Sequence, residues 1–224
     1  MKTAERDEAR RLRQTGWSIK EIEQHLGVSR GSVSSWVRDV EPIGAARERL
    51  AQRAGLGARV SAERKAQAAR ETRRAYQERG RLLARERDAT YAAGCVLYWA
   101  EGAKSRNVVD LVNSDPEVLV FFIGFLRRHF GVPNARIRIA CRLFPDHVEH
   151  QRAIEQHWLD RLDLPRECLR RSIVNRYSKY SEKKRTNRLP YGTCALVVCS
   201  TEIVQTIYGS IQELGGFDRP EWLG

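Results

Sequence analysis

The sequence predicts an α+β protein in three parts: a three-helix unit over residues 1–41, a basic helical connector over 42–88 and an αβ domain over 89–224. Three observations lead there. Apolar positions in the first part recur at helical spacing in short runs broken by Gly16 and Gly27. The middle part is almost entirely Ala, Arg, Glu and Gln, a helix-forming composition. The last part alternates apolar helical stretches with runs of period two. At 224 residues the chain can bury a core without metals or disulfides to staple it.

Charge narrows the choice of partner. Lys plus Arg is 40 against 28 for Asp plus Glu, a net charge of +12 with a pI near 9.9, which favours a polyanion such as double-stranded DNA. The excess is uneven: +1 over residues 1–41, +7 over 42–88 and +4 over 89–224, with 9 basic and 2 acidic residues between 166 and 188. The connector and this late stretch are therefore where phosphate contacts are expected. Without a run of about 18 apolar residues, or an apolar segment behind the charged start, neither a membrane span nor a secretory signal is expected, and a cytoplasmic, nucleoid-associated protein is. Five cysteines (Cys95, Cys141, Cys168, Cys194 and Cys199) form an odd count with no C-x-x-C pair, so they are read as reduced and mostly buried.

In the first part, Ser18 lies one residue before Ile19 and three before Glu21, the spacing of a capping box that opens a second helix. Gly27 ends that helix, where the chain needs a positive φ, and Ser29 caps a third. At 100° per residue Val33, Trp36 and Val37 share one face of the third helix, leaving Gly31, Ser34, Ser35 and Arg38 on the other, with Ser29 and Arg30 at its start. The segment from Trp17 to Val37, with its Leu-Gly-Val-Ser turn and Val-x-x-Trp ending, resembles helix-turn-helix domains of the resolvase and homeodomain-like type. That resemblance implies that the helix at residues 30–38 reads the major groove. Arginine can grip guanine O6 and N7, and small Ser and Gly side chains permit close approach. Glu23 departs from the pattern, standing where such domains usually place Ala.

The connector reads as a helix with hinges at Gly55, Gly57 and, more weakly, Gly80. Arg64, Lys65, Arg70, Arg73, Arg74, Arg81 and Arg85 make it basic with few apolar residues, so it either spaces the flanking parts or lies along DNA without reading sequence.

The third part opens with an apolar helix from residue 89 that ends in Glu101-Gly102. A strand at 108–112 follows, then Asn113-Ser114-Asp115-Pro116 capping a helix at 117–130, a strand at 136–144, a helix at 147–162, extended chain at 167–177, a strand at 193–200 and a helix at 202–214. Period two in the 136–144 strand turns Ile137, Ile139, Cys141 and Leu143 inward and Arg136, Arg138 and Arg142 to the other face, which suits a groove-binding sheet. Arg176, Tyr177, Lys179, Lys183, Lys184 and Arg185 interleave basic and aromatic side chains, a composition that contacts phosphates and stacks on bases.

The helix ending in Glu-Gly, the strand, the Asn-Ser-Asp-Pro cap and the following helix and strands resemble the LAGLIDADG homing-endonuclease fold over residues 89–214, and the whole arrangement resembles bacterial hypothetical proteins with an N-terminal helix-turn-helix. The resemblance implies that Glu101 corresponds to the metal-binding carboxylate of the active enzymes and that the 89–101 helix can pair in a homodimer. In actinobacterial sporulation regulators, which combine the same parts, it implies DNA binding without cleavage. Cleavage by this fold needs carboxylates from two motif helices to hold Mg2+, and the chain has one such motif, so a second Glu101 would have to come from a partner copy. Lys104 could support that chemistry or neutralise a phosphate. Asp146, His147, Glu149 and His150 are further candidate ligands, read chiefly as surface residues. There is no nucleophile triad and no glycine-rich phosphate loop. The first reading is a sequence-specific DNA-binding protein, a transcriptional regulator or a mobile-element-derived factor with no cofactor; the alternative is a Mg2+-dependent endonuclease.

Overall fold

A computed structural model describes residues 3–86, 88–174 and 189–224. The chain divides into two compact units, one ending at Ala68 and the next beginning at Ala69. The division falls inside the 42–88 stretch expected to connect the other two parts.

The first unit holds α1 (Thr3–Gln14), α2 (Ile19–Leu26), α3 (Arg30–Trp36) and the beginning of α4 (Ala45–Arg85). The expected caps are present. Glu21 N donates to Ser18 Oγ at 3.2 Å while Ser18 N donates to Glu21 Oε2 at 2.8 Å, which satisfies two amides at the start of α2. Gly27, at φ 62°, returns its N–H to the Glu23 carbonyl and turns the chain into Ser29, whose side chain accepts from Ser32 N. Ala9, Leu12, Ile22, Val28, Val33, Val37 and Val40 form the core, with Trp17, Ile19, Leu26 and Trp36 packed around it. Glu23 is half-buried.

Two features differ from expectation. The third helix ends at Trp36 rather than Arg38, because Arg10 Nη1 takes the Trp36 carbonyl at 2.7 Å and Val40 N closes a tight turn on Val37 O. The glycines expected to interrupt the connector lie within helix: α4 is helical over 41 residues, Gly55, Gly57 and Gly80 included. Each glycine costs a helix about 1 kcal/mol, which the surrounding Ala, Arg, Glu and Gln can carry.

In the second unit, the end of α4 is followed by α5 (Ala89–Glu101), β1 (Val108–Asn113), α6 (Pro116–Phe130), β2 (Arg138–Leu143), α7 (Gln151–Leu162), β3 (Ile173–Val174), β4 (Thr193–Cys199) and α8 (Thr201–Gly215). The sheet order is β1-β4-β2-β3, antiparallel at the first two pairings and parallel between β2 and β3. Both strand-to-helix passages are capped, Asp115 accepting from Glu117 N at 2.9 Å and Ser200 from Ile203 N at 3.3 Å. Alternation along β1, β2 and β4 turns Val109, Leu111, Ile139, Cys141, Leu196 and Val198 into one core with Leu119, Phe122 and Phe125 of α6, Trp158 of α7 and Tyr208 of α8. Four cysteines are buried and Cys199 is exposed.

Strand and helix ends differ from the periodicity in two places. Arg136 closes a short 3-10 turn, its N–H spent on the Pro133 carbonyl, so the strand begins at Arg138. Pro145 likewise opens its own 3-10 turn and delays α7 to Gln151.

Candidate nucleic-acid interface

Burial of Val33 and Val37 fixes which side of α3 faces out. Ser29, Arg30, Gly31, Ser34 and Ser35 are exposed together, and Arg38 is exposed in the turn that follows. A bidentate pair, Arg10 Nη1 to Asp39 Oδ1 at 2.6 Å and Nη2 to Oδ2 at 2.8 Å, ties α1 to that turn. The Arg10 guanidinium holds the pKa of the Asp39 carboxyl down to about 2. The arrangement presents a small, polar and cationic surface on a braced helix, with Arg30 and Arg38 in no ion pair among the described residues.

Along α4 the basic residues separate into two sets. Arg64, Lys65, Arg70 and Arg74 are exposed and make no ion pair among the described residues. Arg73 Nε donates to the Leu223 carbonyl at 2.8 Å, and Arg85 Nε to Glu213 Oε1 at 2.7 Å. Arg81 bonds to Asp218 and also meets Glu78 at 3.6 Å. Arg73, Arg81 and Arg85 therefore serve the fold of the second unit first.

On the sheet face away from the core, Arg138 and Arg142 are half-buried on β2. Arg142 lies opposite Thr193, and Asp110, Val197 and Arg138 form one row across three strands, so a carboxylate shares the face with the arginines. Arg138 Nη1 donates to the carbonyls of Ala135 and Ile137 at 2.8 and 2.7 Å, and Arg136 reaches the Cys199 carbonyl at 3.5 Å. The Arg142 side chain makes no hydrogen bond among the described residues. The face expected to carry three strand arginines carries two. Arg176, Tyr177, Lys179, Lys183, Lys184 and Arg185 lie outside the described residues.

Glu101 is the last residue of α5 and is exposed. A carboxylate at a helix C-terminus opposes the dipole, so its own helix gives it no support. Lys104 is differently employed: its Nζ donates to the carbonyls of Trp99 at 2.8 Å and Gly102 at 2.5 Å, closing the end of α5. Burial and the Arg219 charge lower the Lys104 pKa, against a smaller opposing pull from Glu101. Of the small residues in the helix, Gly94 is packed within its own chain, where a Cβ would overlap the Phe125 ring. Ala93, Val96 and Ala100 remain exposed on the outer side.

His147 is buried, and its Nδ1 accepts from Phe144 N at 3.3 Å, while His150 is the exposed N-cap of α7. No group of three His, Cys, Asp or Glu side chains is placed to hold a metal among the described residues. Glu155 was not anticipated. It is buried, accepting from Ser172 Oγ at 2.6 Å, Gln151 Nε2 at 2.8 Å and Arg166 Nη2 at 3.2 Å. Burial alone would raise its pKa, but these donors together hold it below the ordinary value. The signal in the sequence was its spacing, three and four residues before Trp158 and Leu159 on the apolar stripe of α7.

No helix among the described residues is long and apolar enough to cross a membrane. Residues 4–53 match the profile of the family described as "Putative ATPase subunit of terminase (gpP-like)". No curated protein and no solved structure matches the chain. The likeness therefore lies over α1, α2, α3 and the first residues of α4.

Proposed function

We propose that the protein binds double-stranded DNA in a sequence-specific manner, as a transcriptional regulator or a mobile-element-derived factor. The observation that carries this reading is the outward face of α3, where Ser29, Arg30, Gly31, Ser34 and Ser35 are exposed while Val33 is buried behind them. The likeness of residues 4–53 to a terminase subunit family supports an association with DNA of a mobile element, and the net charge of +12 supports a polyanionic partner. In this reading the base contacts come from α3 and Arg38, the free arginines of α4 and the Arg138–Arg142 face add phosphate contacts, and the second unit is LAGLIDADG-like. Selection from a random duplex pool tests it: recovery of a shared sequence is expected, and recovery of unrelated sequences with uniform affinity would contradict it.

One observation favours a second reading, a homing-type endonuclease. Glu101 is an exposed carboxylate at the end of α5, beside the exposed Ala93, Val96 and Ala100 that a second copy of the helix could meet. One chain offers a single carboxylate there, too few for Mg2+, so this reading requires the symmetric homodimer. It predicts that purified protein nicks its selected site in magnesium and that Glu101→Gln abolishes nicking while leaving binding intact. The binding-only reading predicts no nicking by either protein.

A further inference from the structure

A cavity of about 750 Å³ opens between the first turn of α7 and the stretch from Arg166 to Ser172. It is not part of the surface assigned to DNA bases. Its walls carry Arg152, Arg166, Arg170 and Arg171 against Glu149 and Glu155, an excess of two positive charges. The floor is fixed rather than fluid. Buried Glu155 holds Arg166 from below, and that guanidinium has further N–H groups to offer from a side chain that is 60% exposed. Arg170 N donates to the Ile139 carbonyl at 2.8 Å, and the parallel pairing of β3 with β2 secures the chain just beyond Arg171. The main chain at Arg170 and just beyond Arg171 is thereby held by backbone bonds, and the Arg166 side chain by a buried carboxylate. At the opposite wall, α7 starts at His150 without a side-chain cap.

We propose that this cavity binds the phosphate of a phosphomonoester, a dianion borne on a small organic molecule. The charge excess matches a dianion, planar guanidinium groups suit phosphate oxygens, and the volume exceeds what inorganic phosphate fills. Ser172 does not compete for that ligand, because its hydroxyl is committed to Glu155 at 2.6 Å. The arginines could instead lie along a DNA backbone, and the experiment separates the two sources of phosphate.

The full chain is titrated calorimetrically with inorganic phosphate, adenosine 5′-monophosphate and, as the uncharged control, adenosine. Saturable binding of both phosphates, tighter for the monoester, is expected, with none for adenosine. The double variant Arg170→Ala/Arg171→Ala, which alters exposed side chains, should weaken phosphate binding by about tenfold or more, as loss of charge-assisted bonds does. A thermal melt of this variant checks its fold, and Arg152→Ala provides a second test from the opposite wall. The affinity of the double variant for a duplex carrying the selected site should be nearly unchanged. Absence of saturable phosphate binding to the wild type up to millimolar concentration would overturn the proposal. So would unchanged phosphate binding in both variants, or a loss of duplex affinity as large as the loss of phosphate affinity, which would assign these arginines to DNA.

Discussion

Gly80 of α4 and Gly209 of α8 remove the two side chains that would hold those helices apart. A Cβ on Gly80 would overlap the Thr206 carbonyl oxygen and stand 2.9 Å from Ser210 N, and one on Gly209 would stand 2.6 Å from Gln77 Cα. Around the crossing, Gln77 Nε2 donates to Gln205 Oε1 at 2.7 Å, Gln212 Nε2 to Gln77 Oε1 at 3.0 Å and Ser210 Oγ to the Gly80 carbonyl at 2.8 Å. Alanine is the better helix former by about 1 kcal/mol. Yet Gly80→Ala or Gly209→Ala should lower stability by about 1–3 kcal/mol, because the obstacle is backbone and cannot step aside. Urea unfolding checks this, and a midpoint at or above the wild-type value would contradict the close crossing.

Acid should dissolve the Arg10–Asp39 tie. The pKa of the Asp39 carboxyl falls from its ordinary 3.8 to about 2 in the fold, so its contribution is present above about pH 4 and is lost as pH falls towards 2. Asp39→Asn should lower the Tm of the protein at neutral pH by a small amount that salt reduces, Asp39 being exposed and Arg10 half-buried. Paired melts from pH 7 downward should show the wild type and the variant converging near pH 2. A difference that persisted undiminished there would place the effect of the variant elsewhere.

Lys104 should matter to the fold and little to DNA. Its ammonium closes the α5 carbonyls, so Lys104→Met should cost about 1 kcal/mol, discounted for exposure. Duplex affinity should shift by less than about twofold, the effect of removing one charge that neutralises no phosphate. A large fall in affinity at unchanged stability would return Lys104 to the phosphate contacts.

Much of this was legible in the residues because local chemistry decided it. Ser18 with Glu21, Gly27 and Ser29 each specify a cap or turn by their own side chain or its absence, and the structure realises all of them. Asp115 and Ser200 do the same at the starts of α6 and α8. What was not legible depends on partners far along the chain. Gly80 reads as a hinge until Gly209, 129 residues away, is seen to need the room. Arg38 falls off the helix because Arg10 captures Trp36 and Asp39. Arg81 and Arg85 resemble phosphate ligands in composition, and only the position of Glu213 and Asp218 commits them to the fold. Glu155 carried a pattern signal, a carboxylate on an apolar stripe, whose meaning needed Arg166 and Ser172 beside it.

The division among α4 cations yields a salt-dependence test. Replacing Arg64, Lys65, Arg70 and Arg74 with Gln should weaken selected and random duplexes alike. It should also flatten the plot of log affinity against log salt by about 0.9 for each phosphate that is no longer neutralised. Replacing Arg85 should instead lower stability. A steep, unchanged salt slope in the fourfold variant would mean that these α4 residues do not touch DNA.

Everything proposed for DNA recognition rests on α3 reading sequence, and Arg30→Ala bears on that most sharply. Equilibrium binding of wild type and variant is measured at one fixed salt concentration on the selected duplex and on a scrambled duplex of the same composition. Removing a bidentate grip on guanine should cost about 1–3 kcal/mol, roughly 5- to 150-fold, on the selected site and far less on the scrambled one. Equal losses on the two duplexes would show that Arg30 supplies charge alone, and would contradict the assignment of base recognition to this helix.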